Sequence, residues 1–309
     1  MRIVVTGATS FLGAVTVRQL LEKGYQVDAV VRPGSLNMAN LYKQIPEERK
    51  DALTVVELNL HQIADITAQV PAADAWIHMG WDGSGSENRK KRDVQQANVA
   101  QSLKAVHAAG AIGCKRFLFT GSQAEYGVCN AVITEENPLN PVSEYGIAKV
   151  EFGRQAERLC RTLGMEYIHT RIFSVYGPGD HPHSLIESCV RTWAADGEMK
   201  LGECTQKWNY LYIEDVVSAL VALLEKAEPG VYNIASTDVR VLRDYIRELH
   251  ELCGGRGSFV FGQRPQNAEG PANLVADISK ICEKTGWKPV TTFSEGIHEL
   301  LHRMQSSAS

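Results

Sequence analysis

The sequence predicts an α/β protein: a doubly wound parallel sheet with a smaller C-terminal α/β lobe. Three observations lead there. Short apolar runs of strand length alternate with amphipathic helical runs from the first residue. A glycine-containing turn joins the first strand to the first helix. After Gly177 the texture changes to short strands separated by irregular segments, beginning with the Pro/Gly/His stretch "GPGDHPH". Buried strands interleaved with helices require a sheet covered on both faces.

The elements follow in order. "RIVVTG" is a strand, and the helix from Phe11 to Lys23 carries Leu12, Val15, Leu20 and Leu21 along one side. "QVDAVVR", "LTVVELN", "AWIHMG" and "RFLFTGS" supply further strands, with a long helix from about Glu87 to Ala109 between the last two. "EYIHTRIFSVYG" reads as one more strand, and "SEYGIAK" opens a helix. Phe152–Leu163 and Val239–Leu252 read as amphipathic helices. Residues 1–177 are expected to form the dinucleotide-binding unit. Residues 178–309 are expected to form mainly a substrate-binding lobe, with some segments returning to the sheet.

The 309 residues are 44% hydrophobic and 22% charged, ordinary for a globular chain. A formal charge of -4 argues against a general attraction to nucleic acid or to an anionic membrane surface. No uncharged apolar run approaches the roughly 20 residues of a spanning helix. The N-terminus has no signal-peptide pattern, and the final "SSAS" reads as a frayed tail. The 7 cysteines are scattered without a CxxC pair, which suits reduced thiols in a cytoplasmic protein. There is no internal repeat.

Chemistry enters at "TGATSFLG". Gly7 and Gly13 stand where a GxxGxxG turn has its first and last glycines, and Ser10 replaces the middle one. Such a turn points free N–H groups and the positive end of a helix dipole at a pyrophosphate. Thr9, Ser10, Phe11 and Leu12 are therefore candidate cofactor contacts, with Asn59 and Leu60 at the end of the third strand. In "SEYGIAK", Tyr145 and Lys149 share a helix face, with Ser143 a candidate cap. A tyrosine titrates near pH ~10, and a nearby ammonium favours its phenolate form. Ser122 ends "RFLFTGS" at the carboxyl edge of the sheet, where ligands of open α/β sheets collect.

Taken together, these segments resemble the extended short-chain dehydrogenase/reductase family, especially its nucleotide-sugar epimerase, dehydratase and 4-ketoreductase branch. The likeness runs through "QQANVA", "RIFSVYGPGD", "WNYLYIEDVVSAL", "GVYNIAS" and "LVADISKICEKTGWKP", almost the whole chain. It implies a Rossmann-type sheet, a nicotinamide dinucleotide and a nucleotide-diphosphate sugar substrate. It also implies a catalytic set in which Ser122 holds the reacting oxygen, Tyr145 exchanges its proton and Lys149 tunes Tyr145 and binds ribose. Asn98 either supports the site or satisfies backbone groups within the helix. Family members often dimerise through the long helix and the tyrosine-bearing helix, so a homodimer is expected.

The branch runs several reactions. Sugar 4,6-dehydratases carry an Asp-Glu pair directly after the catalytic Ser/Thr; here Gln123 and Ala124 stand there, and Glu125 comes one place late. Neither Gln nor Ala transfers protons, which argues against dehydration. UDP-galactose 4-epimerases carry an acid at the position of Val31, where it holds the ribose of NAD. Here Arg32 follows, with Ser35 nearby, and a guanidinium suits the 2′-phosphate of NADP. Asp28 is expected inside the strand. The first expectation is therefore an NADPH-dependent reductase of an NDP-4-keto-6-deoxyhexose. The alternatives are an NAD-dependent 4-epimerase and a dinucleotide-binding regulator without turnover.

For the substrate, Trp81, Gln123, Ser174 and Arg264 are the candidate contacts, with Ser122 at the reacting oxygen. Arg264 is preferred for the diphosphate because Trp208 stands where the epimerases have an Arg, and Lys207 beside it faces the other way. Tyr176 is a second candidate border of the pocket. His181 and His183 form an HxH pair without a full ligand set, so no metal is expected.

Overall fold

The computed structural model describes residues 1–85, 87–264 and 273–306. Seven strands form the central sheet: β1 (Arg2–Thr6), β2 (Gln26–Val31), β3 (Leu53–Glu57), β4 (Ala75–His78), β5 (Arg116–Ser122), β6 (Glu166–Ile172) and β7 (Gly230–Ile234). Their spatial order is β7-β6-β5-β4-β1-β2-β3, and every neighbouring pair is parallel. Strand order reverses between β1 and β4, which opens a crevice at their carboxyl ends.

Side chains alternate along each strand and feed two cores. Val5, Ile77, Leu118 and Ile168 enter one layer with Val17 and Leu20 of α1 (Phe11–Glu22). Val4, Trp76, Phe117 and Phe119 enter the other, with Val99 and Val106 of α2 (Arg92–Ala111) and with Phe152 and Ala156 of α3 (Glu144–Thr162). Neighbouring strand residues thus serve opposite faces, the period-2 rule applied to a doubly covered sheet.

The other α-helices of ten or more residues are α4 (Leu185–Ala194), α5 (Ile213–Lys226), α6 (Leu242–Leu252) and α7 (Phe293–Ser306); shorter ones lie at Met38–Tyr42 and Ser279–Thr285. α5 packs on α1 beneath the sheet, and β7 extends the sheet beyond β6. The rest of the C-terminal half builds short pairs: Glu198–Lys200 with Ser258–Val260, and Lys207–Trp208 with Arg240–Val241.

Three expectations about elements change. The long helix starts at Arg92, after a separate 3-10 turn at Asn88–Lys90. The Tyr145 helix and Phe152–Leu163 are one continuous helix, α3. "EYIHTRIFSVYG" is two strands: β6 stays in the sheet, whereas Val175–Tyr176 pairs with Leu211–Tyr212. The break falls at Phe173–Ser174. The Phe173 N–H donates to Ile234 O, and the Ser174 carbonyl accepts from Leu211 N–H, so the backbone changes partners there.

Candidate active site

The first βα turn is built for close approach. Gly7 lies at φ +73°, a conformation that side chains disfavour, and a Cβ on Gly13 would sit 2.1 Å from the Gly7 carbonyl oxygen. Ser10 caps α1, its Oγ accepting from the Gly13 N–H at 3.1 Å. The hydroxyl expected to face phosphate therefore serves as the helix cap. The amides of Phe11 and Leu12 remain uncommitted at the start of the helix.

Beside this turn lies a cavity of about 120 Å³ whose walls include Thr9, Val31, Arg32, Leu58, Leu60 and Gly80. Arg32 stands at its rim, 65% exposed, paired with Asp82 at 3.4 Å. Thr9 Oγ1 and Ser35 Oγ are 3.3 Å apart at the same edge. Asp28 is buried inside β2 and bound by Arg2 at 2.7 Å, as expected for a residue within the strand. A tight glycine turn, a helix start beside it and a cavity at the strand-order reversal fit the pyrophosphate end of a nicotinamide dinucleotide.

Two cofactor assignments change. Asn59 turns its amide to Gln62 Oε1 at 3.3 Å, and Leu58, one position before it, lines the cavity instead. Asn98 is buried, and its amide is spent on the backbone: Oδ1 accepts from Asp82 N–H at 2.8 Å, and Nδ2 donates to Asp82 O and Val94 O. It anchors the loop after β4 as well as bonding Val94 O within its own helix, a wider role than the backbone groups of the helix alone.

Ser122, Tyr145 and Lys149 lie close together in the structure. Ser143 caps α3 by accepting from Gly146 N–H at 3.3 Å. Gly146 permits the approach: a Cβ there would lie 2.5 Å from Ala124 O, in the turn that follows Ser122. Ser122 Oγ donates to Gln123 Oε1 at 2.9 Å and accepts from Ala124 N–H at 3.2 Å. Lys149 is buried, with Nζ donating to Thr120 O at 2.8 Å. It stands 4.0 Å from the Trp81 ring and 5.5 Å from the Tyr145 ring.

The electrostatics differ from the expectation. Burial raises the Tyr145 pKa above its ordinary value, and the groups that oppose this are Arg89, through its charge, and the Ser122 hydroxyl. Burial lowers Lys149 to about 7. The cation that pulls Tyr145 toward phenolate is thus Arg89, whose guanidinium lies 4.4 Å above the ring. Sequence reasoning missed Arg89 because nothing in "SENRKKR" distinguishes it from its basic neighbours.

Both carboxylate oxygens of Glu125 are taken by partners within the fold. The residue is fully buried, with Oε1 accepting from Ser122 N–H at 2.9 Å and 3.0 Å from His169 Nε2, and Oε2 accepting from Arg171 at 3.0 Å. Burial alone would raise its pKa, but His169 and Arg171 hold it below the ordinary carboxylate value. No dehydratase-like acid is left free at positions 123–125.

The candidate substrate contacts divide. Trp81 donates to Gln95 at 2.8 Å and lies edge-on to Tyr145, bordering both the catalytic cluster and the cofactor cleft. Gln123 is hydrogen-bonded to Ser122, and Ser174 is half-buried at the strand break. Tyr176 is 1% exposed and donates to Phe293 O at 3.2 Å, so it belongs to the core rather than the pocket. Arg264 is exposed, on a loop closed by its N–H to Leu201 O. No contact joins it to the catalytic cluster among the described residues. The rest of its loop, from 265 to 272, and residues 307–309 of the "SSAS" tail lie outside them. The His181 and His183 rings are 5.2 Å apart, and no group of three metal-ligating side chains occurs among the described residues. Nor is any described helix long and apolar enough to cross a membrane. All seven cysteines are free thiols.

Comparison with known proteins identifies the family. The model of the NAD dependent epimerase/dehydratase family matches residues 3–235. A putative UDP-glucose 4-epimerase of Methanocaldococcus jannaschii is 28% identical over 99% of both chains. The dTDP-4-dehydro-6-deoxyglucose reductase of Escherichia coli is 23% identical over 97% of this chain and 96% of its own. The crystal structure of UDP-glucose 4-epimerase from Thermotoga maritima with UDP-glucose shares the fold, with a TM-score of 0.89, 24% identity and 100% coverage of both chains. The chain therefore belongs to the NAD dependent epimerase/dehydratase family, within the nucleotide-sugar branch of the extended short-chain dehydrogenases/reductases.

Proposed function

We propose that this protein reduces the 4-keto group of a nucleotide-diphosphate-linked 4-keto-6-deoxyhexose, with NADPH as its cofactor. The observation that carries the reading is the end of β2. Val31 is buried there and brings no carboxylate, while Arg32 stands exposed at the rim beside Ser35. An exposed ion pair such as Arg32–Asp82 contributes only ~0–1 kcal/mol, so a 2′-phosphate can take the guanidinium over. The bound nicotinamide would supply the hydride.

The chain's own residues handle the proton and the substrate. Ser122 hydrogen-bonds the ketone oxygen and steadies its developing charge. Tyr145 gives that oxygen its phenolic proton as the carbon–oxygen double bond becomes a single bond. Lys149 holds the nicotinamide ribose. Gln123, Ser174 and Trp81 border the sugar, and Arg264 reaches the diphosphate from the C-terminal lobe.

The second reading is 4-epimerisation with tightly held NAD. It is favoured by the UDP-glucose 4-epimerases among the relatives and by the Asp82 carboxylate at the cofactor cavity, which suits ribose hydroxyls. Binding of NADPH and NADH, measured side by side on protein stripped of cofactor, separates the two. The reductase reading expects NADPH to bind at least tenfold more tightly, with Arg32→Ala removing most of that preference. NADH preference, or NAD that copurifies and resists removal, would transfer the assignment to epimerisation.

A further inference from the structure

We propose that Arg89 is a positioning residue for the reaction: its guanidinium, stacked on the Tyr145 ring, fixes the phenol and favours its anionic form, a task the buried Lys149 does not carry alone. The inference rests on Tyr145 as the proton-transfer group and holds for reduction and epimerisation alike.

Arg89 is held in place by its backbone. It sits in the 3-10 turn Asn88–Lys90, its N–H donating to Gly85 O at 3.1 Å. Gln95, fully buried in α2, donates to Asn88 O at 3.0 Å and to Gly83 O at 2.9 Å. The same Gln95 accepts from Trp81, so one amide ties the turn to the wall of the site. From this base the Arg89 side chain lies 4.4 Å over the Tyr145 ring and forms no ion pair among the described residues. Its charge is therefore undivided.

The charged and polar groups facing Tyr145 come from four elements. Arg89 comes from the turn before α2, the Ser122 hydroxyl from the end of β5, Glu125 from the turn after β5, and Lys149 from α3 itself. Glu125 opposes the phenolate, although His169 and Arg171 divide its charge. Lys149 is committed to the Thr120 carbonyl and to the Trp81 and Phe119 rings, and burial weakens its hold on its proton. A guanidinium stays charged throughout the range in which proteins work.

The test is a phenolate absorbance titration of the protein loaded with its oxidised cofactor. Tyr145 is isolated as the difference between each chain and its Tyr145→Phe counterpart. Arg89→Gln is expected to raise the midpoint by about one pH unit, the low end for a charge at this distance because Lys149 recovers charge when Arg89 is lost. Arg89→Lys is expected to restore most of the shift, with cofactor affinity within about twofold throughout. In turnover the same shift moves the alkaline limb upward if Tyr145 donates its proton, and the acid limb upward if it accepts one. A midpoint that Arg89→Gln leaves unmoved, or that Arg89→Lys fails to restore, overturns the assignment. The absorbance reading needs no sugar substrate, so its failure is separate from failure of the proposed reaction.

Discussion

Glu125 shows how a carboxylate near a reactive centre can be bound into the fold. Both carboxylate oxygens are committed, to Ser122 N–H, His169 and Arg171, in a fully buried position. Replacing it by Gln leaves the Arg171 charge buried without its counterion, so Glu125→Gln is expected to destabilise the fold by about 3–5 kcal/mol in urea unfolding. The pH dependence has a definite sign. The folded-state pKa of Glu125 lies below its unfolded value, so its contribution is complete above about pH 4.3 and is lost as pH falls through the folded pKa. The stability of the Gln variant should therefore fall less steeply on acidification; an equal slope in both chains would show that Glu125 is not the linked group. The late position of Glu125 was legible in the string "GSQAEYG", but its destination was not. That depended on His169 and Arg171, more than forty residues away on β6.

The elements that position the chemistry are short and sharply capped. α1 begins on the Ser10 cap directly over β1, and α3 begins on Ser143 directly over the turn after β5. The α3 residues Tyr145, Lys149, Phe152, Ala156 and Cys160 repeat at helical spacing and are all buried, so Tyr145 and Lys149 are part of the face that packs on the sheet. Helical burial of that face is what dehydrates Lys149 and Tyr145 together. At the other end of the crevice, Gly13→Ala forces a Cβ into the Gly7 carbonyl. The expected outcome is a loss of about 1–3 kcal/mol in thermal or urea unfolding, together with weakened dinucleotide binding. A variant with unchanged cofactor affinity would separate the turn from the binding site. These motifs were readable because their spacing is local. The split of "EYIHTRIFSVYG" was not, because Val175–Tyr176 leaves the sheet only where Leu211–Tyr212 offers another partner.

At the scale of the molecule, α2 and α3 lie side by side on one face and leave a broad groove of about 870 Å³ between their outer surfaces. Leu103 and His107 from α2 and Ile147, Val150 and Arg158 from α3 line it, and Ile147 is 40% exposed. An exposed isoleucine beside further apolar side chains is a surface that association would bury. The homodimer expected from the resemblance is predicted to form through this face. Sedimentation equilibrium should give twice the mass of one chain, and Ile147→Asp should shift the protein to monomers. A monomeric parent chain would refute the assignment.

The sequence by itself determined the sheet and its first βα turn, because both depend on patterns that repeat over a few residues: alternation in strands, helical spacing, and glycines at a tight turn; the family and the candidate set Ser122, Tyr145 and Lys149 came from a resemblance spread along the chain. Only the tertiary structure decided what those residues feel. Arg89 reaches Tyr145 from 56 positions away in the chain, Asn98 is drawn off to hold a loop, and Arg264 is left apart from the cluster. Coulomb forces and desolvation act through space over a few ångströms, and sequence spacing carries no record of which distant side chains the fold will bring within that range.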